Sequence, residues 1–136
     1  MRPNIPITVL LADDTEMMRR AIQRLLGDDP EIEVVGEAAD FTQSIKMTLE
    51  LKPQIVVLDV HMPNYSSLTP LEIRTSFAPC AARLVAISIW DDTDTKTLAE
   101  SFGAVLLLDK AKLGTELVPT IKRLLATPLG DQHDER

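Results

Sequence analysis

A chain of 136 residues with 45% hydrophobic content is about one domain long and can bury a sizeable core. Its formal charge of −7, from 14 basic against 21 acidic residues, argues against direct nucleic acid binding by the domain itself. No apolar stretch approaches the ~20 residues of a membrane span, and no apolar h-region precedes Asp13. Cys80 stands alone, which leaves no internal disulfide and fits a reducing compartment. The expectation is a soluble, cytoplasmic domain without a membrane contact.

Five alternations of strand and helix follow in chain order. Residues 7–12 form an apolar first strand, and Thr15 is placed to cap a helix in which Met18, Ile22, Leu25 and Leu26 recur at helical spacing. Gly27, Asp28, Asp29 and Pro30 end it. A short second strand runs over 32–36, and a helix over 41–51. Ile55, Val56, Val57 and Leu58 are four apolar residues in a row closed by Asp59, a strand buried on both faces. A polar loop at 64–69 leads to Thr69-Pro70, an N-cap with proline at N1, and a short third helix ending near Pro79. The fourth strand is 83–88 and the fourth helix 93–102, closed by Gly103 as C′. A fifth strand at 104–108 and a fifth helix at 113–125 complete the pattern. Residues 127–136 are a polar tail without hydrophobic periodicity.

Alternation of this kind implies a parallel sheet with helices on both faces, here a flavodoxin-like (βα)5 sandwich with strand order 2-1-3-4-5. In that order strands 1 and 3 are neighbours, so Asp13, Asp14 and Asp59 meet at the carboxyl ends of the strands. At ~4 Å and an effective dielectric of ~20, each like-charge pair costs on the order of 4 kcal/mol. A hard divalent cation with oxygen ligands is the natural counter-charge. Ser88 and Lys110 end the fourth and fifth strands at the same rim. Together these residues describe a phosphoryl-transfer site, with Asp59 as nucleophile and Asp14 and Asp59 as Mg²⁺ ligands. Asp13 would hold a coordinated water, Lys110 supply a charge for phosphoryl oxygens, and Ser88 donate a hydrogen bond. Mn²⁺ could replace Mg²⁺. With three clustered acids, removing Asp13 or Asp14 is expected to raise metal-free stability while losing metal binding.

The blocks Leu11-Ala12-Asp13-Asp14, Val57-Leu58-Asp59-Val60-His61-Met62-Pro63, Ala86-Ile87-Ser88 and Gly103-Ala104…Asp109-Lys110 resemble the signature of response-regulator receiver domains over residues 7 to about 126. The resemblance implies that a histidine kinase or phosphotransfer protein phosphorylates Asp59. It also implies that the His61 backbone carbonyl completes the metal shell, that Ser88 is the switch hydroxyl, and that output runs through helix 4, strand 5 and helix 5. A phosphorylation-dependent homodimer is compatible with it, and the downstream partner is not named by it. The first helix and Val34-Val35-Gly36-Glu37-Ala38 look like receivers that precede a helix-turn-helix, so residues 1–126 are read either as a stand-alone receiver or as a fragment of a longer DNA-binding regulator.

Three residues depart from the family pattern. Leu107 stands where an aromatic is usual, Ser67 where the loop usually has glycine, and Ala111 where many members have a cis proline. If Ser67 required a positive φ, another loop conformation is expected; the 110–111 bond is expected to be trans. An aspartyl-phosphate phosphatase of haloacid-dehalogenase type would need a second aspartate where His61 stands. A flavodoxin-like cofactor binder would need a phosphate loop where Asp13-Asp14-Thr15-Glu16 stands. Trp90, two residues past Ser88, is read either as half-buried packing or as a lid, and with His61 should flank the path of hydrolytic water.

Overall fold

The computed structural model describes residues 5–126. The tail at 127–136 lies outside them. The elements are β1 (Ile7–Ala12), α1 (Glu16–Gly27), β2 (Ile32–Ala38), α2 (Phe41–Leu51), β3 (Ile55–Asp59), α3 (Pro70–Phe77), β4 (Arg83–Ser88), α4 (Thr93–Ser101), β5 (Ala104–Asp109) and α5 (Leu113–Ala126). A single 3-10 turn, Lys110–Lys112, joins β5 to α5. All five strands are parallel in the order β2-β1-β3-β4-β5, which is the expected flavodoxin-like arrangement.

Alternation along the buried strands divides the interior into two layers. Leu10, Val56, Leu58 and Ala86 face α2, α3 and α4, where Phe41, Ile73, Phe77, Ala99 and Phe102 meet them. Val9, Leu11, Val57, Val85 and Ile87 face the other way, onto Ile22 and Leu26 of α1 and Leu117 and Ile121 of α5. Each such aliphatic side chain, fully buried, contributes about 1.5–3 kcal/mol relative to exposure. Among the described residues no helix is long and apolar enough to cross a membrane.

β2 runs two residues beyond its expected end. Its pairing with β1 slips by one between Val9 and Leu10, so that Val9 faces Val34 but Leu10 faces Gly36. The bulge carries the strand on to Ala38, opposite Ala12. Gly36 is therefore a close-approach position rather than a stop. A Cβ there would lie 2.7 Å from Met47 Cε and 2.9 Å from Leu51 Cδ1, where α2 lies against the strand.

Of the caps read from the sequence, Thr69 and Gly103 hold and Thr15 does not, and Asp40 and Asp92 add to them. Asp40 caps α2, Asp92 caps α4, and Thr69 and Glu72 form a reciprocal capping box at α3. Gly103 closes α4 with φ +93. Thr15 has the extended backbone of an N-cap, yet its side chain does not cap α1. The hydroxyl is turned to the buried carboxylate instead, donating to Asp13 Oδ1 at 2.9 Å in a charge-assisted hydrogen bond. In the loop after Pro63, Ser67 takes φ 54, so the serine adopts the left-handed conformation itself. Asn64 holds it there, donating to the Leu68 carbonyl and accepting from the Leu68 N–H. No cis peptide bond occurs among the described residues.

Candidate functional site

Register places the acids. Ala12 pairs with Leu58 across β1 and β3, so the residues that follow, Asp13 and Asp59, leave the sheet side by side. Both fall on the α1 and α5 side by strand alternation, and Lys110 reaches the same side from the end of β5. Asp13 and Asp59 are buried and Asp14 is exposed. One carboxylate oxygen from each of the three lies within 4.8 Å of the others.

Lys110 is the counter-charge of this cluster. Its Nζ lies 2.8 Å from Asp13 Oδ2 and 3.3 Å from Asp59 Oδ2, with the lysine side chain only 13% exposed. Read from the sequence alone, a cation neutralises the acids and the lysine serves phosphoryl oxygens, whereas the folded protein sets Lys110 against two of the acids directly. The missed signal was that the fifth strand ends at the same rim, within a lysine's reach of both acids. Burial alone would lower the Lys110 pKa, but the carboxylates of Asp13 and Asp59 outweigh it and hold the ammonium above its usual value. Asp59 moves in the unfavourable direction. Burial raises its carboxyl above the ordinary range and Asp13 adds to the rise, against the His61 N–H and Lys110.

The remaining oxygens show what the pocket lacks. Asp59 Oδ1 accepts the His61 N–H at 3.0 Å, and Asp13 Oδ1 accepts both the Thr15 N–H and its hydroxyl at 2.9 Å. Asp13 Oδ2 is buried without a hydrogen-bond partner: the lysine stands at ion-pair distance but not in hydrogen-bonding geometry. A buried, under-satisfied carboxylate oxygen beside two more carboxylates suits a hard cation and its coordinated water. The donor set therefore fits Mg²⁺. The expectation that loss of either Asp13 or Asp14 relieves repulsion needs correction, since Asp13 is engaged by Lys110 and Thr15 whereas Asp14 makes no side-chain hydrogen bond or ion pair with the described residues.

Ser88 is fully buried at the end of β4, opposite Asp109, and its Oγ accepts the Trp90 N–H at 3.0 Å. His61 contributes its backbone N–H to Asp59, and its exposed ring meets Trp90 edge-to-face at 5.0 Å between centroids. Trp90 is half exposed. The two aromatic side chains thus stand together at the rim, linked through the chain to Asp59 on one side and Ser88 on the other. Leu107 packs against the α2–α3–α4 layer.

Two residues absent from the sequence-derived site adjoin it, one directly and one through the other. Arg19 of α1 donates from Nη1 to the Asp13 backbone carbonyl at 2.6 Å and from Nε to Glu37 at 2.8 Å. Glu37 is held ionised below the usual range, chiefly by the Arg19 hydrogen bond. Neither could be read from spacing, because their meeting depends on the β2 bulge.

The profile of the response regulator receiver domain family matches residues 9–122. Among curated proteins, the chain is 35% identical over 117 residues to protein-glutamate methylesterase/protein-glutamine glutaminase 3 of Geobacter sulfurreducens, covering 85% of this chain and 31% of that protein. The chain spans about a third of the length of the curated relatives it matches. Among solved structures, the signal receiver domain of the response regulator NarL from Mycobacterium tuberculosis superposes with TM-score 0.80 at 23% identity, covering 91% of this chain and 99% of that one. A chain from the crystal structure of the P1 domain of CheA3 in complex with CheY6 from R. sphaeroides matches with TM-score 0.75 at 24% identity, covering 90% and 98%.

Proposed function

The chain belongs to the response regulator receiver family, and on that premise we propose that it accepts a phosphoryl group on Asp59 from a histidine kinase or phosphotransfer protein. A carboxylate oxygen of Asp59 forms the new O–P bond as the donor's N–P bond breaks, and the bonding pair leaves with the imidazole, which takes up a proton. Burial keeps the nucleophile away from bulk water, and the His61 N–H fixes the carboxylate plane. Lys110, already beside Asp59, would follow the incoming phosphoryl oxygens, and the Ser88 hydroxyl would donate to one of them. Asp13, Asp14, Asp59 and the His61 backbone carbonyl would hold Mg²⁺ or Mn²⁺, which supplies positive charge against the phosphoryl oxygens. The observation that carries the reading is the lysine paired with two buried carboxylates, beside a third, at the carboxyl edge of the sheet.

The catalytic events would be self-phosphorylation and slow dephosphorylation rather than turnover of a metabolite, in a cytoplasmic setting. Output would run over α4, β5 and α5, towards a protein target or a second copy of the chain. With Leu107 packed in place of an aromatic ring, that output would not use an inward-swinging ring. The CheY6–CheA3 P1 complex supports a phosphotransfer partner of that kind. A second reading, a receiver that is part of a longer regulator or enzyme, is favoured by the share of the curated relatives that the chain spans.

One assay tests the acceptor and the rim. Acetyl phosphate with Mg²⁺ should add one phosphoryl group by intact mass, and Asp59→Asn should abolish it, because an amide is not a nucleophile. Trp90→Ala should leave labelling intact but shorten the phosphate's lifetime, since the indole shields the line of water attack. Equal labelling of Asp59→Asn would end the acceptor assignment, and decay at the wild-type rate in Trp90→Ala would make that ring packing only.

A further inference from the structure

We propose that Arg19 is a positioning residue for the acid pair and that Glu37 in turn positions Arg19, an inference that rests on the metal-binding reading of the site. Asp13 is gripped at both ends of its backbone by the end of β2. Its N–H donates to the Ala38 carbonyl at 3.0 Å, and its carbonyl accepts from Arg19, whose Nε is fixed on Glu37. Gln23 donates to the other Glu37 oxygen, so the carboxylate cannot turn away. The held carbonyl belongs to the peptide that joins Asp13 to Asp14. That peptide sets where the Asp14 side chain leaves the backbone, and among the described residues Asp14 has no side-chain hydrogen bond or ion pair of its own to do so.

The β2 bulge makes this strap possible. Leu11 and Val34 lie in the α1 and α5 layer, and after the slip Glu37 pairs with Leu11. Glu37 therefore faces α1, where Arg19 waits. Without the extra residue, Glu37 would pair with Ala12 and point its charge into the apolar layer beneath α2. The arginine side chain is 17% exposed, ordered between strand and loop.

A plain staple between α1 and β2 would use the same contacts, so the test turns on sign. Arg19 is a cation bound to the Asp13 backbone carbonyl, and by charge repulsion alone its removal should tighten Mg²⁺ binding. Loss of positioning should weaken it, by about ten-fold or more as for other residues that orient metal ligands. Mg²⁺ titration calorimetry on the full chain, well below the melting temperature, reads this directly. Arg19→Ala should weaken binding, and Arg19→Lys, which keeps the charge and can still reach the carbonyl, should fall between it and wild type. Glu37→Gln should weaken binding less, and add little on top of Arg19→Ala. Lys122→Ala, at a surface ion pair elsewhere on α5, should leave the affinity unchanged.

An Arg19→Ala affinity equal to or tighter than wild type overturns the inference and leaves the site reading standing. A lowered melting temperature with unchanged affinity does the same. Should Arg19→Ala not fold, wild-type affinity in both Arg19→Lys and Glu37→Gln overturns it. Absence of Mg²⁺ binding in the wild type overturns this inference and the site reading together.

Discussion

Two lysines in this molecule each lie between two acids, and the pairs behave oppositely. Lys122 on α5 sits 2.7 Å from Asp29 and 3.0 Å from Glu31, and Lys110 sits 2.8 Å from Asp13 and 3.3 Å from Asp59. The charges and distances are nearly the same. Their surroundings are not, since Lys122 is 40%, Asp29 17% and Glu31 68% exposed, while Asp13 and Asp59 are 1% and 5% exposed. At the surface the lysine wins, and its hydrogen bond lowers the Asp29 carboxyl below the usual range. In the pocket burial wins, and Asp59 is raised in spite of Lys110. A lysine between two acids is a fastening when wet. Dry, it leaves Asp59 raised, and in the proposed function a metal and a phosphoryl group would be that acid's further partners.

The largest expected contrast is between the two lysines. Lys110→Met leaves two carboxylates buried without a counter-charge and should cost about 3 kcal/mol in chelator. Added Mg²⁺ should restore part of that loss. Lys122→Met should matter little, and its small effect should vanish in about 1 M salt, where the screening length is about 3 Å. Urea unfolding of both variants measures this, and equal losses would remove burial as the deciding difference.

Next in size is the division within the acid cluster. Asp13→Ala gives up an ion pair and two hydrogen bonds, so metal-free stability should fall by about 1–3 kcal/mol. Asp14→Ala removes only repulsion, so metal-free stability should rise slightly. Both should lose the stabilisation that Mg²⁺ gives. Thermal melts with and without metal separate these outcomes, and a rise in both variants would mean that Lys110 does not engage Asp13.

The smallest effect is one of sign across pH. Asp29, lowered by folding, stabilises above its unfolded pKa, and that contribution is lost as pH falls through its folded value. Asp59, raised by folding, contributes a penalty that is absent below its unfolded pKa and complete only above its folded one. In chelator, Asp29→Asn should therefore be least harmful in acid. Asp59→Asn should gain on wild type as pH rises out of the carboxylate range. Parallel slopes for the two variants would contradict the opposed shifts.

Much of this was legible in the sequence, for physical reasons that differ by element. Strands buried on both faces carry apolar runs, so 55–58 and 84–87 announced themselves, and register between neighbours then brought Asp13 beside Asp59. A cap was legible at Thr69, where a short polar side chain precedes proline at N1 and meets a free N–H. What stayed hidden depended on competition or on a slip. Thr15 has a cap's backbone but gives its hydroxyl to a buried acid. Ser67 accepts a left-handed φ because Asn64 braces the loop. Arg19 and Glu37 meet only because β2 carries one extra residue, which no periodicity reveals.

Of the three neighbouring carboxylates proposed to hold the cation, Asp59 alone is proposed to take the phosphoryl group. Borohydride reduces an acyl phosphate at carbon and leaves an alcohol, so a phosphorylated aspartate becomes homoserine. Peptide mapping after phosphorylation with Mg²⁺ and borohydride treatment should place homoserine at position 59 alone. Homoserine at position 13 or 14 would contradict the account.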